Sequence, residues 1–350
     1  MNLPLQPPLK PQLALSRKEL PTGDEYVYEI KLDGFRCIAF VDTPSGARGG
    51  EDVYLQSRAG KPLGRYFPEL VLPAGRYVLD GEIVVRDSSG REDFDALGQR
   101  IHPAASRIER LAAETPAVYV AFDLLARGDE SLLELPFTER RAALERLLAG
   151  GDGSGAWSDG LAAAGDPGGG LAAGASFAGA PVELMPTAAT AEEAQKWLQG
   201  AEGAIAKERS APYRPGERKG MFKVKRVRTI DAVIVGWRPG KEPGTVGALI
   251  LGLYDGEALR VVGHCSGLSA PEKRRLVGFF SQYETGERGS ADPSRWSAGK
   301  DLEWVGLRPE LVVEIDFDHV SAGRIRHGSK LRRWRDDKPP SECTYDQLQQ

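Results

Sequence analysis

The octapeptide Glu29-Ile30-Lys31-Leu32-Asp33-Gly34-Phe35-Arg36 ends a β-type run on a lysine and then turns the chain at Asp-Gly. A lysine amine attacks an electrophile only when neutral, so a catalytic lysine needs neighbours that disfavour its charge. Taken alone, the same residues describe a hairpin with a solvated cation. Leu79-Asp80-Gly81-Glu82-Ile83-Val84-Val85 places an acid beside a turn and a β-run, where a carboxylate can face a metal or a ribose, or simply water. Ala121-Phe122-Asp123-Leu124-Leu125 puts an aromatic near a strand end; a core phenylalanine is the commoner use of that pattern. Glu202-Gly203-Ala204-Ile205-Ala206-Lys207 joins an acid to a lysine, and Phe222-Lys223-Val224-Lys225 sets two lysines two residues apart. Residues i and i+2 of a strand share a face, so those two ammonium groups repel unless an anion stands beside them, and a phosphate meets that need.

Arginine is dense at the other end of the chain. Arg324-Ile325-Arg326-His327 is followed by Lys330, Arg332, Arg333, Trp334 and Arg335-Asp336-Asp337-Lys338, a composition suited to phosphate contact or to a solvated basic tail.

These residues need a scaffold of strands. Runs rich in Val, Ile, Tyr and Phe occur at Tyr26–Lys31, Cys37–Val41, Val53–Gln56, Tyr77–Val85 and Val118–Leu125. Helical patterns lie between and after them. Thr138–Leu148 places Ala142, Leu144, Leu147 and Leu148 near one face, and Thr190–Gln199 opens on a capping-box pair, Thr190 and Glu193. Residues 1–24 are proline-rich and read as an extended arm. Residues 149–180 are dense in Gly and Ala and read as a flexible surface insertion. A boundary is expected near Val227–Ile230, giving a first domain over 1–228 and a second over 229–350. The second carries strand runs at Asp231–Trp237, Ala248–Tyr254, Leu259–Cys265 and Leu311–His319, with a helix at Ser269–Tyr283 capped by Ser269 and Glu272. Several short strands and one helix suit a small OB-type barrel, and a β-sandwich fits the periodicity almost as well.

Composition narrows the class. With 350 residues, 41% hydrophobic and 27% charged, the chain reads as globular and long enough for two domains. No apolar run is long enough to span a bilayer, and Met1–Lys10 has no signal-peptide core. Cys37, Cys265 and Cys343 are scattered, which speaks against a zinc ribbon and for a reducing compartment. The net charge of −4 speaks, as an average, against nucleic acid. Local counts reverse it: nine cations stand against two acids from Lys207 to Arg228, and seven against two from Arg324 to Lys338.

In their order along the chain, these segments resemble the nucleotidyltransferase superfamily of ATP-dependent DNA ligases and capping enzymes, and most of all its small two-domain bacterial ligases, the C type. Lys31-Leu32-Asp33-Gly34 is similar to motif I, Ser57-Arg58-Ala59-Gly60-Lys61 to motif Ia, and Asp80-Gly81-Glu82 to motif III. Phe122-Asp123-Leu124-Leu125 is similar to motif IIIa, Glu202 to Lys207 to motif IV, Lys223-Val224-Lys225 to motif V and Arg335-Asp336-Asp337-Lys338 to motif VI. The resemblance runs from about Pro4 to Tyr345. Leu32 and Met221 depart from the family's usual aromatic and Trp, and the insertion at 149–180 is longer than expected.

The resemblance implies an α+β architecture: an ATP-grasp-like adenylation (nucleotidyltransferase) domain of antiparallel sheets and helices, then an OB-fold barrel. It implies that Lys31 carries AMP, with ATP as nucleotide and Mg²⁺, for which Mn²⁺ can substitute, as metal. Phe122 would stack on adenine, Glu29 and Ile30 would read its edge, chiefly through backbone, and Arg36 and Glu82 would meet the ribose. Arg58 and Lys207 would lie near phosphates, Lys223 and Lys225 would hold the α-phosphate, and Glu82, Glu202 and Asp33 would face metal. Arg335, Asp336 and Lys338 would meet departing pyrophosphate after a domain closure hinged near Arg226–Thr229. Lys61, Arg214, Arg218, Lys219, Arg324, Arg326 and Arg333 would contact DNA. The implied partner is nicked duplex DNA, with repair polymerases or end-binding proteins as further candidates. The implied protein is a cytoplasmic monomer working in repair at the bacterial nucleoid. The competing activities are an RNA ligase, a capping-type guanylyltransferase and a non-catalytic nucleic-acid-binding relative.

Overall fold

A computed structural model describes residues 1–43, 52–149, 180–291, 302–318, 320–321, 323–326 and 328–349. The Gly/Ala-rich insertion expected at 149–180 lies outside these residues except at its two ends. Contacts divide the chain into Met1–Arg226 and Val227–Gln350.

The first unit is built on two sheets. One has the strand order Leu15–Ser16, Met221–Lys225, Gly203–Glu208, Tyr26–Ile30, Thr187–Ala188; its first pair is parallel and the others are antiparallel. The other has the order Val53–Ser57, Phe35–Thr43, Gly75–Val85, Ala117–Arg127, Glu130–Ser131, with Val182–Leu184 added in parallel to Ala117–Arg127. The strands expected from composition are therefore present, most of them extended by a residue or two where ladder hydrogen bonds outlast the apolar pattern. Apolar residues of the second sheet form the largest core of this unit with helix Phe137–Leu148, which buries Phe137, Ala143, Leu144, Leu147 and Leu148. Ala143 replaces Ala142 on the buried face because Arg140 and Arg141 also turn inward, toward acids that the periodicity of apolar residues does not register.

Helix Ala191–Gln195 starts from Thr190, whose side chain accepts from Glu193 N, but the Glu193 carboxylate accepts from Ala189 N, one residue before the cap. The helix pauses at Lys196 and resumes over Trp197–Gly200. The arm is not loose: Leu9 and Gln56 exchange two hydrogen bonds, Leu13 N donates to Glu217 O, and Leu15–Ser16 pairs beside Phe222 and Lys223.

The second unit is a closed barrel. Arg228–Pro239 pairs with Val246–Asp255, which pairs with Ala258–Gly267, then Ser329–Trp334, then Val312–Phe317, which returns to Arg228–Pro239. This closure decides between barrel and sandwich. Helix Ala270–Phe280 carries both halves of the Ser269–Glu272 capping box and seats Leu276 and Phe280 in the barrel core. The strands Glu284–Ala291 and Leu302–Leu307 have no counterpart among the expected runs because they form a hairpin appended to one barrel strand, rich in Gly and charge rather than in β-branched residues. All three cysteines are buried and free.

Candidate active site

Strand Tyr26–Ile30 delivers Lys31 to the end of the first sheet, where its backbone N–H donates to Gly203 O at 3.0 Å. Gly203 has φ +145°, and any Cβ there would strike the Val224 carbonyl, so only glycine lets Glu202 lie against both neighbouring strands. The Lys31 ammonium is then 3.4 Å from Glu202 Oε2. Gly34 likewise sits where a Cβ would meet the Ile83 carbonyl, so the turn after Lys31 packs flush on the strand carrying Glu82.

Lys31 opens into a cleft of about 940 Å³, solvent at its mouth included. Of the expected residues, Glu29, Ile30, Arg36, Arg58, Glu82, Phe122, Lys207, Arg218 and Lys223 line it; Asp33, Glu202 and Lys225 stand outside that lining. Phe122 forms an apolar platform with Met185, Val84 and Val120, against which Ile30 and Leu32 pack.

Beneath the platform lie paired charges. Arg36 makes a two-pronged contact with buried Asp80, 2.6 Å on each prong, and its guanidinium carbon is 4.4 Å from the Phe122 ring centre. This carboxylate holds Arg36 in its charged form despite burial. Tyr213 donates its hydroxyl to Asp80 at 2.6 Å and accepts from Gln12 N at 2.9 Å. Burial, with Asp80 beside it, pushes the Tyr213 phenol well above its ordinary range, so it stays a donor. The Lys207 ammonium is 2.8 Å from Glu29, 3.3 Å from Phe122 O, and stacked near the Phe122 and Phe137 rings at 4.6 and 4.5 Å. Arg140 forks onto Asp123 at 2.8 and 2.9 Å and donates to Leu135 O and Ala211 O.

Lys207, expected near phosphate, and Glu29, expected at the adenine edge chiefly through its backbone, both line the cleft, and their side chains pair with each other at 2.8 Å.

The wall is different. Arg58, Arg218 and Lys223 make no ion pair among the described residues. Burial, and then Lys225, Arg58, Lys31 and Arg218, lower the Lys223 pKa. Glu82 lines the same cleft, its carboxyl pushed up to about 7 by burial, with Asp80 and Asp33 adding to the rise while Arg36 and Lys31 oppose it. Lys61 closes a turn through its N–H to Ser57 Oγ. Arg214 and Lys219 form exposed pairs with Glu134 and Glu217.

In the barrel unit, the motif VI cations stand on acids of their own unit. Arg335 Nη1 lies 2.8 Å from both oxygens of Asp231, its Nε and Nη2 lie 2.9 Å from Asp337, and Lys338 is 2.9 Å from Asp231. The hydrogen bonds to Arg335 pull Asp337 down to about 2. Arg333 pairs with Glu314, as Arg332 does with Glu314 and Asp316. The basic count of this segment is thus largely neutralised across strands, which a linear count cannot show.

Several lining residues carried no sequence signal. Pro11, Gln12, Leu13 and Ala14 form part of the cleft because the arm folds back beside Lys223, and Met185 joins the platform from after the insertion. Tyr213 and Asp123 act through buried partners; a polar residue inside an apolar run, as in Phe122-Asp123-Leu124, was the available hint.

Comparisons with known proteins give the family. Residues 11–163 match the family described as ATP dependent DNA ligase domain, and residues 242–338 match the ATP dependent DNA ligase C terminal region. The chain belongs to the ATP-dependent DNA ligase family. It is similar to DNA ligase C1 of Mycolicibacterium smegmatis, at 42% identity over 99% of this chain and 96% of that protein. It is also similar to DNA ligase C of Mycobacterium tuberculosis, at 39% identity over 100% and 96%. A solved Lig E DNA ligase, 17% identical and covering 93% of this chain and 99% of its own, superposes with a TM-score of 0.52 and shares the fold. Among the described residues no helix is long and apolar enough to cross a membrane.

Proposed function

We propose that this protein seals 5′-phosphate/3′-hydroxyl nicks in duplex DNA, in repair, through AMP carried on Lys31. The observation that supports this most is the position of Lys31: a strand-end amine at a cleft lined by an aromatic platform and by cations with no ion pair among the described residues. Adenine stacks on Phe122, and the phosphates run along Lys223, Arg58 and Arg218. The Lys31 nitrogen, having lost its proton, bonds to the α-phosphorus while the bond to the bridging oxygen of pyrophosphate breaks. An oxygen of the DNA 5′-phosphate then takes the AMP phosphorus from nitrogen. Finally the 3′-hydroxyl, losing its proton, bonds to the 5′-phosphorus and AMP leaves. Negative charge shifts among phosphoryl oxygens in every step, so fixed cations pre-placed along the wall are the main catalytic asset. Arg335 and Lys338 meet pyrophosphate by exchanging Asp231 and Asp337 for it.

The donor set suits Mg²⁺. Glu82 lines the cleft, Glu202 stands 3.4 Å from Lys31 and Asp33 acts on Glu82 electrostatically, so the carboxylates are sparse, with no cluster of three or more metal-ligating side chains among the described residues. Mg²⁺ ordinarily takes one or two carboxylates plus phosphate oxygens and water. A cation there also compensates the burial that raises Glu82. When bound, the metal supplies charge neutralisation at the phosphates.

The test is covalent labelling. With Mg²⁺ and α-labelled ATP, GTP or NAD, label is expected from ATP alone and is lost in Lys31→Ala. Label from GTP moves the protein to capping chemistry, and no label leaves a binding module. Nicked duplexes with DNA or RNA strands then separate a DNA ligase from an RNA ligase.

A further inference from the structure

Four residues from distant parts of the chain close a ring of hydrogen bonds beside the cleft. Gln12 N donates to the Tyr213 hydroxyl at 2.9 Å, and that hydroxyl donates to Asp80 Oδ2 at 2.6 Å. Asp80 accepts from Arg36 Nε and Nη2, and Arg36 Nη2 also donates to Gln12 O at 3.4 Å. Tyr213 and Asp80 are 1% and 0% exposed, whereas the Arg36 side chain is 22% exposed and, with Gln12, lines the cleft. The arm is held at this point through its side chains as well. Gln12 Nε2 donates to Lys219 O, and Gln12 Oε1 accepts from Arg214 N at 3.3 Å. The Tyr213 ring shares an apolar cluster with Leu3, Leu5 and Leu9 of the arm. Beyond Gln12 the arm continues along the cleft as Leu13 and Ala14, then pairs beside Phe222 and Lys223. Tyr213 lies in none of the segments that carry the family resemblance.

We propose that Tyr213 is a positioning residue of the nucleotide site: its hydroxyl joins the N-terminal arm to Arg36, so that arm and guanidinium set the affinity for ATP as one unit. The proposal rests on the reading that Lys31 takes AMP from ATP in this cleft. A forked arginine–carboxylate pair fixes the guanidinium relative to the carboxylate, not relative to the cleft. The Tyr213 hydroxyl pins the carboxylate and, through Gln12 N, pins the arm to the same point. Water is excluded there, so a bond lost from the ring is not replaced. Arg36 borders the Phe122 platform, 4.4 Å from the ring centre, and so meets the nucleoside rather than the phosphorus at which bonds change. A contact of that kind is equal in ground and transition state and acts on half-saturation rather than on maximal rate.

The experiment follows self-labelling of the full chain, first freed of AMP with pyrophosphate, as ATP is varied, and then the reverse release of ATP as pyrophosphate is varied. Tyr213→Phe keeps the ring in its cluster and removes the two bonds of the hydroxyl. It is expected to raise half-saturating ATP about tenfold, the scale of one lost hydrogen bond to a charged group, and to leave the maximal rate within about twofold. Half-saturating pyrophosphate is expected to stay at the parent's value, because the nucleoside is then held covalently. Tyr77→Phe is the control: it loses an equally buried hydroxyl, 2.6 Å from Pro73 O and away from the cleft, and is expected to label like the parent. Gln12→Ala is expected to raise half-saturating ATP as well, and the double variant to be little worse than either single one, as members of one unit are not additive. Unchanged half-saturating ATP in Tyr213→Phe overturns the proposal. So does an equal rise in Tyr77→Phe, a parallel rise for pyrophosphate, or full additivity in the double variant. If urea unfolding shows that Tyr213→Phe does not fold, Gln12→Ala decides: a rise for ATP alone supports the unit, and no rise overturns it. Failure of the parent to take label from ATP would instead remove the reading on which the proposal rests.

Discussion

Beneath Phe122, Arg36, Lys207 and Arg140 meet Asp80, Glu29 and Asp123 at 2.6, 2.8 and 2.8 Å, whereas along the open wall Arg58, Arg218 and Lys223 meet no carboxylate among the described residues. The residue types are the same and the burial differs. A cation removed from water must be paired or it destabilises the fold; a cation at a solvated wall can stay unpaired and wait for an anionic ligand. Floor charges are therefore fixed by their partners, and wall charges stay open to an anionic ligand. The barrel repeats the contrast: Arg335 and Lys338 are anchored on Asp231, while Arg238 and Arg324 meet no carboxylate among the described residues.

The sharpest way to break this comparison is in the floor. Asp80→Ala leaves Arg36 and the Tyr213 hydroxyl without their acceptor, and loss of one member of such a buried pair costs about 3–5 kcal/mol. Urea unfolding should show that loss; a change within experimental error would mean that the floor is not structural. In the wall the outcome inverts. Lys223→Gln should leave the unfolding midpoint unchanged or slightly raised, since it removes a repelled charge. Labelling by ATP should fall about 100-fold, the scale of losing one pre-placed electrostatic donor. Equal loss of stability and labelling would erase the distinction.

Glu82 gives a pH-dependent test. Its folded pKa, about 7, lies above the ordinary 4.5, so the folded state holds a proton that the unfolded state has lost between those values. That group therefore makes stability fall as pH rises from about 4.5 to 7. Glu82→Gln should show a smaller difference in urea midpoint between pH 5 and pH 8 than the parent. Mg²⁺ should lower the apparent pKa of the parent's transition and leave the variant unmoved. The smallest effect belongs to the surface: Arg214→Ala loses an exposed pair with Glu134 and should shift stability by less than about 0.5 kcal/mol. A larger shift would place Arg214 in the structural floor.

Part of this arrangement is legible in the residues alone. The strands around Lys31, Glu82 and Phe122, the capped helix at Ser269, and the pairing of Lys223 with Lys225 on one face all follow from local rules, alternation and capping chemistry. The order of motifs is enough to name the family. Other features depend on which strands become neighbours. The strand Glu284–Ala291 lacks β-type composition and is held by its pairing with Leu302–Leu307, which in turn pairs with Arg228–Pro239. The arm's contribution to the cleft depends on contacts distant in sequence, among them the parallel pairing of Leu15–Ser16 with Phe222 and Lys223 and the bond from Gln12 N to the Tyr213 hydroxyl.

The amino-acid sequence by itself determined the chemical groups available to this protein: a lysine at a strand end, carboxylates, an aromatic and a run of cations, the set that the proposed reaction needs. Tertiary structure alone decided which of those charges are spent. Lys207 and Arg36 were drawn under the platform by Glu29 and Asp80, and Arg335 onto Asp231, while Lys223 and Arg238 have no ion pair among the described residues. The reason is physical. A side chain's charge is set by its residue type, but its counterion is set by what the fold brings within about 3 Å in a medium that water does not screen.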